Sequence, residues 1–290
     1  NLQGAYLQGA YLQGANLQGA NLQGAYLSDA DLSGANLSHA KLQLANLQGA
    51  ILYKSKLPFA KLQRANLTDA NLKYAILSDA ILYKSELPFA NLQGAILTNA
   101  NLESAILYGV NLQDADLSDA VLVGAILEGA NLQGANLRDS RLIGANLSHA
   151  ILIDAILSNA DLFRSNLLGA NLSGAKLQGA DLQDADFKDV SGITKNELYN
   201  YDRGEYIVLN IDDAKNLKNE DAKNIPLSGA SEGGRKKKTN KKTLTKGGKK
   251  KKTNKKKKQR KNSLKKSKNE GKNKSLIKGS KHKKTKRRKI

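Results

Sequence analysis

The chain has 290 residues, with 47 Lys and Arg against 26 Asp and Glu, and a formal net charge of +21. It contains no cysteine, which excludes disulfide bonds, thiolate chemistry and cysteine-ligated metal sites. No apolar run approaches the roughly 20 residues of a membrane-spanning helix and no lipidation motif is present, so we expect no membrane insertion.

A five-residue repeat fills residues 1–190 without a gap. Leucine holds the second position in 37 of 38 blocks, Phe187 holds it in the last, and alanine closes almost every block. A period of five fits neither the about 3.6 residues per turn of a helix nor the alternation of a strand. The backbone must therefore change direction once per block.

The blocks carry the motif A-(D/N)-L-x-x, as in Ala30-Asp31-Leu32 and Ala45-Asn46-Leu47. This motif resembles that of the pentapeptide-repeat family. The resemblance implies an all-β fold, a right-handed quadrilateral β-helix (a β-solenoid) with four blocks per coil, and thus about 9.5 coils over residues 1–190. It also implies that the leucine and the alanine two places before it point inward, while the other three positions face water.

The fourth position of the block predicts the corners of this coil. Glycine fills it in 16 blocks, and Asp, Asn or His fill many others. These residues tolerate the positive φ that the second central residue of a type II turn requires. Pro58 and Pro88 stand one place earlier, where the φ of a first central residue suits proline and no ladder donor is lost.

A thirty-residue repeat lies inside the shorter one, because residues 51–80 closely match residues 81–110. Thirty residues are one and a half coils, so the two copies should face opposite sides of the rod. Outward aromatic residues in these copies are candidates for a partner surface: Tyr53 and Phe59, opposite Tyr83 and Phe89. Outward isoleucines should stack from coil to coil: Ile76 near Ile96, and Ile106 near Ile126. Such residues either form a docking surface or serve as contacts between coils.

Polar residues spaced by twenty should also stack. We expect hydrogen-bonded structural ladders of asparagine: Asn71, Asn91, Asn111 and Asn131. Asp161 and Asp181 should stack too, which is repulsive unless a cation lies between them. Inward serines replace alanine and should donate to backbone carbonyls: Ser55, Ser85, Ser140 and Ser165.

Catalytic motifs find no support in the sequence. His39 and His149 are outward residues 22 blocks apart, too far to converge on a metal or an acid–base site. The many glycines are turn corners, with no helix after them to cradle a phosphate. We expect no enzyme, no cofactor and no metal.

Residues 191–230 predict a cap and a linker. Thr194 to Glu197 has capping-box spacing, which predicts a short helix over residues 195–200, and the β-rich run 205–211 follows. An open solenoid end exposes strand edges and apolar core, so we expect residues 193–212 to cap the last coil, with a homodimer as the alternative. At the other end the repeat begins at residue 1 and the chain has no methionine, which indicates that the true start is missing and that a missing segment or a partner covers the first coil.

Residues 231–290 carry 30 Lys and Arg against 2 Asp and Glu, whereas residues 1–190 carry 12 against 17. With a net charge of +28 and no aromatic residue, this tail is predicted to be disordered. Of its 30 cations 26 are lysine, which favours point-charge contacts with phosphates, and it has no interleaved aromatics for stacking on single strands. The candidate polyanion-binding residues form four groups: Arg235, Lys236, Lys237 and Lys238; Lys249, Lys250, Lys251 and Lys252; Lys255, Lys256, Lys257, Lys258 and Arg260; and Lys283, Lys284, Lys286, Arg287, Arg288 and Lys289.

Three functional classes follow. The first is a non-enzymatic scaffold, a rigid rod whose tail binds nucleic acid or another polyanion without sequence selectivity and with strong salt dependence. The second is a minor structural component of a large particle such as a virion, whose proteins the Lys/Asn-rich tail resembles in composition. The third is suggested by the family, some of whose members inhibit type II topoisomerases as acidic DNA mimics, but a rod of net charge −5 with a +28 tail disfavours it.

The tail also has a simpler interpretation, as a solubilising or targeting extension. Residues 249–261 and 281–289 both match the loose basic pattern of a nuclear localisation signal. We expect an intracellular protein of the cytosol or nucleus, or of a virion, and not a secreted one.

Overall fold

A computed structural model describes residues 1–193, 199–200 and 205–206 of the chain. Over residues 1–191 the first residue of each block forms a parallel β-bridge with the residue twenty positions later, from Tyr6 with Tyr26 to Asn171 with Ser191. Four blocks therefore complete one coil, as predicted. We number the four sides of the coil 1 to 4, after the blocks that begin at residues 1, 6, 11 and 16.

Backbone hydrogen bonds connect each block to the coils on both sides of it. In the block 51–55, the Ile51 N–H donates to the Ala30 carbonyl of the preceding coil (2.9 Å). The Leu52 N–H donates to the Asn71 carbonyl of the next coil (2.7 Å). The Lys54 N–H donates to the Lys73 carbonyl of the next coil (3.0 Å). The fifth N–H bonds within its own block, so away from the two ends of the repeat only the third N–H has no backbone acceptor.

That third N–H explains two features of the sequence. Where Asn or Asp stands first in the block, its side-chain oxygen accepts from it, as Asn71 Oδ1 accepts from the Lys73 N–H at 3.2 Å. Where proline stands third, as at Pro58 and Pro88, there is no N–H to satisfy. The preference for Asn and Asp in the motif is therefore a local hydrogen-bonding preference.

Every block ends in the predicted turn. The N–H of the fifth residue donates to the carbonyl of the second, and the fourth residue has φ between 54° and 74° in all 38 blocks. One positive φ at the second central position is typical of a type II turn. Glycine and Asx residues fill most of these positions, as expected, but Leu44, Phe59 and Tyr74 also adopt this left-handed conformation.

The inward leucines and alanines form one continuous core. Side chains of both columns are buried from Leu22 to Phe187, whereas Leu2, Leu7 and Leu12 of the first coil are only partly buried. Each buried leucine contributes about 1.5–3 kcal/mol relative to exposure. The first and third positions of many blocks are half-buried, because neighbouring coils cover them. The fourth position is exposed in most blocks, so the expectation that three positions face water holds best there.

Beyond the repeat, Ile193 packs against the end of the core. Strand β1 (Tyr199–Asn200) pairs antiparallel with strand β2 (Glu205–Tyr206), so that Tyr199 lies opposite Tyr206. The predicted helix over residues 195–200 is therefore wrong at its last two residues, because strand pairing outweighs the local capping pattern there. Residues 194–198 and 207–211 of the predicted helix and strand lie outside the described residues.

Candidate partner-binding surface

The four candidate aromatic residues lie where the repeat arithmetic places them. The register puts Tyr53 on side 3 and Phe59 on side 4, and Tyr83 on side 1 and Phe89 on side 2. Each pair is thus opposite the other, as predicted. Phe59 and Phe89 are 50% and 58% exposed, whereas the two tyrosines are half-buried.

Both phenylalanines also contact a ring of an adjacent coil. Phe59 stacks face to face on His39, with ring centroids 5.0 Å apart, and Phe89 meets the edge of Tyr108 at 4.9 Å. Tyr53 makes a looser edge contact with a tyrosine of the next coil, at 6.1 Å. The rings therefore act as contacts between coils, and the two phenylalanines leave half their surface available to a partner.

Lysines lie over the tyrosine rings, a feature that the sequence reasoning missed. The ammonium groups of Lys54 and Lys84 lie 5.1 Å and 5.0 Å from the ring centroids of Tyr53 and Tyr83, their chain neighbours. Lys73 lies 5.0 Å from the ring of Tyr74 in the same way. The signal in the sequence was adjacent Lys and Tyr at the two corner positions of a block. The result is a surface that presents cations and rings together.

These lysines belong to a cluster that we call the basic band, the outer surface of sides 3, 4 and 1 over residues 41–84. Residues 41–84 carry seven cations against two acids, whereas residues 85–190 carry five against thirteen. The seven cations are Lys54 and Lys73 on side 3, Lys56 on side 4, and Lys41, Lys61, Arg64 and Lys84 on side 1. Of the two acids, Asp69 lies on side 2, outside the band, and Asp79 lies on side 4. The rod is therefore divided into a basic and an acidic part.

The asparagine ladder is confirmed in part. Asn111 donates to Asn91 at 3.4 Å, and Asn131 donates to Asn111 at 3.3 Å, both through side-chain amides. Asn71 and Asn91 are paired through the parallel β-bridge. These contacts hold successive coils in register on side 3.

The acidic end of the rod is also as predicted. Asp161 and Asp181 face each other across a β-bridge, and among residues 1–193 their carboxylates make no ion pair. Arg164 lies 3.6 Å from Asp184 on the same side, which partly compensates the negative charge. Within the described part of the chain, no group of His, Cys, Asp and Glu is arranged to hold a metal ion.

Three of the four inward serines behave as expected. Ser55, Ser85 and Ser140 donate through Oγ to the carbonyl three residues earlier, at 2.6–2.7 Å. Ser165 is equally buried, but its Oγ has no hydrogen-bond partner among residues 1–193. The expectation is therefore wrong for Ser165.

Hydrogen bonds perturb two carboxylates, of the half-buried Asp31 and the exposed Asp139. The Ser33 hydroxyl (2.6 Å) and the Ser33 N–H (2.9 Å) donate to Asp31, and with a bond from Gln13 they lower the pKa of Asp31 from its ordinary value of 3.8. The Asn159 amide, and then Arg138, lower the pKa of Asp139. Neither carboxylate is placed to act as an acid or a base at neutral pH.

Comparison with known proteins identifies the repeat. The family model "Pentapeptide repeats" matches residues 1–191 in eight overlapping copies, which is about two thirds of the chain. The chain belongs to this family. Members of the family are right-handed quadrilateral β-helices, in agreement with the four-sided coil described above. The comparison with curated protein sequences gives no match.

Three solved pentapeptide-repeat structures are similar. HetL of the cyanobacterium Nostoc sp. strain PCC 7120, involved in heterocyst differentiation regulation, is 36% identical over 63% of this chain and 90% of its own, with a TM-score of 0.35. QnrB1, a plasmid-mediated fluoroquinolone resistance protein, is 24% identical over 59% of this chain and 85% of its own, with a TM-score of 0.41. A thylakoid lumen protein of Arabidopsis thaliana is 31% identical over 36% of this chain and 72% of its own, with a TM-score of 0.23.

In this pentapeptide-repeat protein, the two histidines of the repeat lie far apart, as predicted. His39 lies on side 4 and His149 on side 2, five and a half coils apart. All candidate polyanion-binding residues of the tail, from Arg235 to Lys289, lie outside the described residues. No described helix is long and apolar enough to cross a membrane.

Proposed function

We propose that this pentapeptide-repeat protein is a non-enzymatic scaffold in which the β-helix provides a rigid support and the lysine-rich tail binds nucleic acid or another polyanion. The observation that carries the proposal is the segregation of charge. Residues 1–190 have a net charge of −5, and residues 231–290 have a net charge of +28. A chain segment with this composition binds phosphates mainly by releasing their counterions.

The tail composition also sets the kind of recognition. Lysine is a compact point charge, and it lacks the planar fork with which arginine contacts a base edge at two points. With 26 lysines among 30 cations, the tail supports binding that depends on charge and salt, and not on sequence. The rod contributes a rigid platform, because backbone hydrogen bonds join each coil of the repeat to the next.

The test compares the full chain with a full-length variant in which the tail lysines are replaced by glutamine. Binding to random duplex DNA is measured by fluorescence anisotropy over a range of salt concentrations. We expect the full chain to bind with a steep negative dependence on salt, and the variant to lose most of both affinity and slope. A control with the same lysines replaced by arginine should retain both.

Three results would contradict the proposal. Equal binding by the glutamine variant and the full chain would show that the tail does not bind the polyanion. Tail-independent inhibition of a type II topoisomerase would favour a DNA mimic. Co-purification with assembled particles, together with weak DNA binding, would favour a particle component.

A further inference from the structure

We infer that the basic band of the rod, on sides 3, 4 and 1 over residues 41–84, is a second binding site, and that it takes single-stranded nucleic acid. This goes beyond the proposed function, which treats the rod only as a support. Four independent properties of the band carry the inference: unpaired charge, stacked like charges, left-handed backbone at long side chains, and exposed rings beside cations.

No acidic group among residues 1–193 forms an ion pair with a cation of the band. Among residues 1–193, the ion pairs are Arg138 with Asp139 and Arg164 with Asp184, and both lie outside the band. Of the seven cations only Lys73 is half-buried, and the other six are exposed. The band therefore has an excess of positive charge, which is largest on side 1 with four cations and smallest on side 4, where Asp79 accompanies Lys56.

Like charges are also stacked directly on one another. Lys41 and Lys61 face each other across a parallel β-bridge, and Arg64 and Lys84 occupy the same corner in successive coils. Directly opposed like charges destabilise a sheet. An anionic chain lying along side 1 would contact all four cations and remove this repulsion.

The turns of the band hold long side chains in a conformation that favours glycine. Lys54, Phe59, Arg64, Tyr74 and Lys84 have φ between 54° and 59°. From residue 85 to residue 190, by contrast, the same position is filled by Gly, Asp, Asn or Ser in all but three blocks. A left-handed backbone conformation raises the free energy of the fold at residues other than glycine. Exposed side chains at such positions are typical of functional sites.

The exposed rings distinguish a single strand from other polyanions. Phe59 (50% exposed) lies on side 4 between the cations of sides 3 and 1, and Tyr74 (44% exposed) lies beside Lys73 on side 3. Sites for single strands combine a cationic track with aromatic side chains on which unpaired bases stack. A duplex keeps its bases stacked internally, and an acidic protein has no bases, so neither would use these rings in this way.

The chain path suggests how a strand would lie. Residues 53–64 run without interruption from side 3 across side 4 to side 1, in the order Tyr53, Lys54, Lys56, Phe59, Lys61 and Arg64. A flexible strand that follows this segment would alternate between phosphate contacts with the cations and base contacts with the rings. It would extend along side 1 toward Lys41 or Lys84.

The fourth position permits substitutions that remove these side chains without harming the turn, because glycine occupies it in 16 blocks. The band variant is Lys61→Gln with Arg64→Gly and Lys84→Gly, which removes three cations. Phe59→Gly is the separate ring variant. The charge-matched control is Arg138→Gln, Arg141→Gln and Lys176→Gln, which removes three cations from the acidic part of the rod. All variants are made in the full chain.

The experiment is photocrosslinking of a 4-thiouridine-containing oligonucleotide to the full chain, followed by peptide mapping. We expect crosslinks within residues 53–84 in addition to the tail. In the band variant, loss of three phosphate contacts should make the slope of log affinity against log salt shallower by about 2. In the ring variant, loss of the Phe59 ring should lower the crosslink yield within the band by about fivefold or more. Thermal unfolding monitors the fold of each variant.

The outcomes separate this inference from the proposed function. Crosslinks confined to the tail would overturn the inference and leave the proposed function intact, whereas crosslinks confined to the band would support the inference and contradict the function of the tail. Equal behaviour of the band variant and the control would overturn the inference. Competition by inorganic polyphosphate as effective as by oligonucleotide, with Phe59→Gly unchanged, would overturn the assignment to single strands in favour of a general polyanion.

Discussion

The ring of Phe89 lies directly over Gly109, the residue at the same corner of the next coil. A Cβ placed on Gly109 would stand 2.7 Å from two carbons of that ring, which is closer than van der Waals contact permits. Phe89 is itself held in place by its edge contact with Tyr108. The position of the Phe89 ring therefore depends on the absence of a side chain at Gly109, twenty positions later.

Gly109→Ala should be more destabilising than Gly129→Ala. Both glycines have positive φ, 62° and 64°, but a Cβ at Gly129 has nothing within 4 Å. The left-handed conformation alone should cost alanine about 1–2 kcal/mol at either site. Displacing the Phe89 ring should add about 1 kcal/mol or more at Gly109. Chemical denaturation of both variants checks this, and equal losses of unfolding free energy would contradict it.

Leu44→Gly should leave the protein as stable as before or stabilise it. Leu44 is 57% exposed with φ of 61°, so its side chain contributes little burial and its backbone carries a left-handed cost. Glycine removes that cost, but it loses more conformational entropy on folding than leucine does. The net gain in the free energy of unfolding should be up to about 1 kcal/mol. Leu44→Ala is the control, because alanine keeps the strain. The prediction fails if thermal unfolding shows the alanine variant to be the more stable one.

Leu112→Ala should be strongly destabilising. Leu112 is 1% exposed and packs in the continuous core. Truncation there loses burial and leaves a cavity between rigid coils, which should cost about 2–5 kcal/mol. Leu12→Ala, in the partly buried first coil, should cost clearly less. Denaturation midpoints of the two variants provide the comparison, and similar losses would show that burial does not set the stability of the coils.

The free energy of unfolding should be higher for Ser165→Ala than for Ser55→Ala. Ser55 Oγ donates to the Leu52 carbonyl at 2.7 Å, whereas Ser165 Oγ has no partner within residues 1–193. Removing an unsatisfied buried hydroxyl avoids a penalty of about 1–3 kcal/mol, and removing a satisfied one is close to neutral. The difference in unfolding free energy between the two variants measures the effect. A larger gain from Ser55→Ala would mean that Ser165 is in fact satisfied.

The stability contributed by the Asp31 charge should be lost at acidic pH. Hydrogen bonds, first from the Ser33 hydroxyl, lower the pKa of Asp31 below 3.8 in the folded state. The carboxylate therefore stabilises the fold above about pH 4, and this contribution disappears as the pH falls through the folded-state pKa. Asp31→Asn keeps the acceptor, since Asn36 accepts the same bonds from Ser38 at 2.6 Å and 3.1 Å.

The measurement for this prediction is the free energy of unfolding of both proteins at neutral pH and at about pH 3. The advantage of the parent chain over Asp31→Asn should be present at neutral pH and reduced in acid. A difference that does not change with pH would show that the charge of Asp31 has no role.

Much of the fold was predictable because the repeat is strict. A fixed spacing of twenty places Ile76 beside Ile96 and Phe59 opposite Phe89 by arithmetic alone, and the structure confirms both. The turn was predictable because glycine, Asp, Asn and His are all found at the fourth position of the block, and these residues share a tolerance of positive φ. Local chemistry was a poorer guide beyond the repeat, where Thr194 to Glu197 suggested a helix through Asn200 but Tyr199 and Asn200 pair in a strand.

The candidate surface was predictable only in part. The sequence drew attention to the duplicated Tyr and Phe residues, but it did not show that Lys54 and Lys84 lie over their rings or that seven cations gather on three sides. Those relationships depend on which side of the coil each block occupies. Sequence charge counts average over all four sides and therefore hide them.

The amino-acid sequence by itself determined the buried positions and the turns, because every fifth residue must be buried and the backbone must turn once per block. The four-block coil and its register followed from the resemblance to the family. Only the tertiary structure decided how the outward side chains contact one another. Residues twenty positions apart become neighbours only when the coil closes, so the stacking of Lys41 on Lys61 and the packing of Phe89 over Gly109 are consequences of closure. The physical reason is that outward positions are not constrained by the core, and their interactions depend on the spacing between coils.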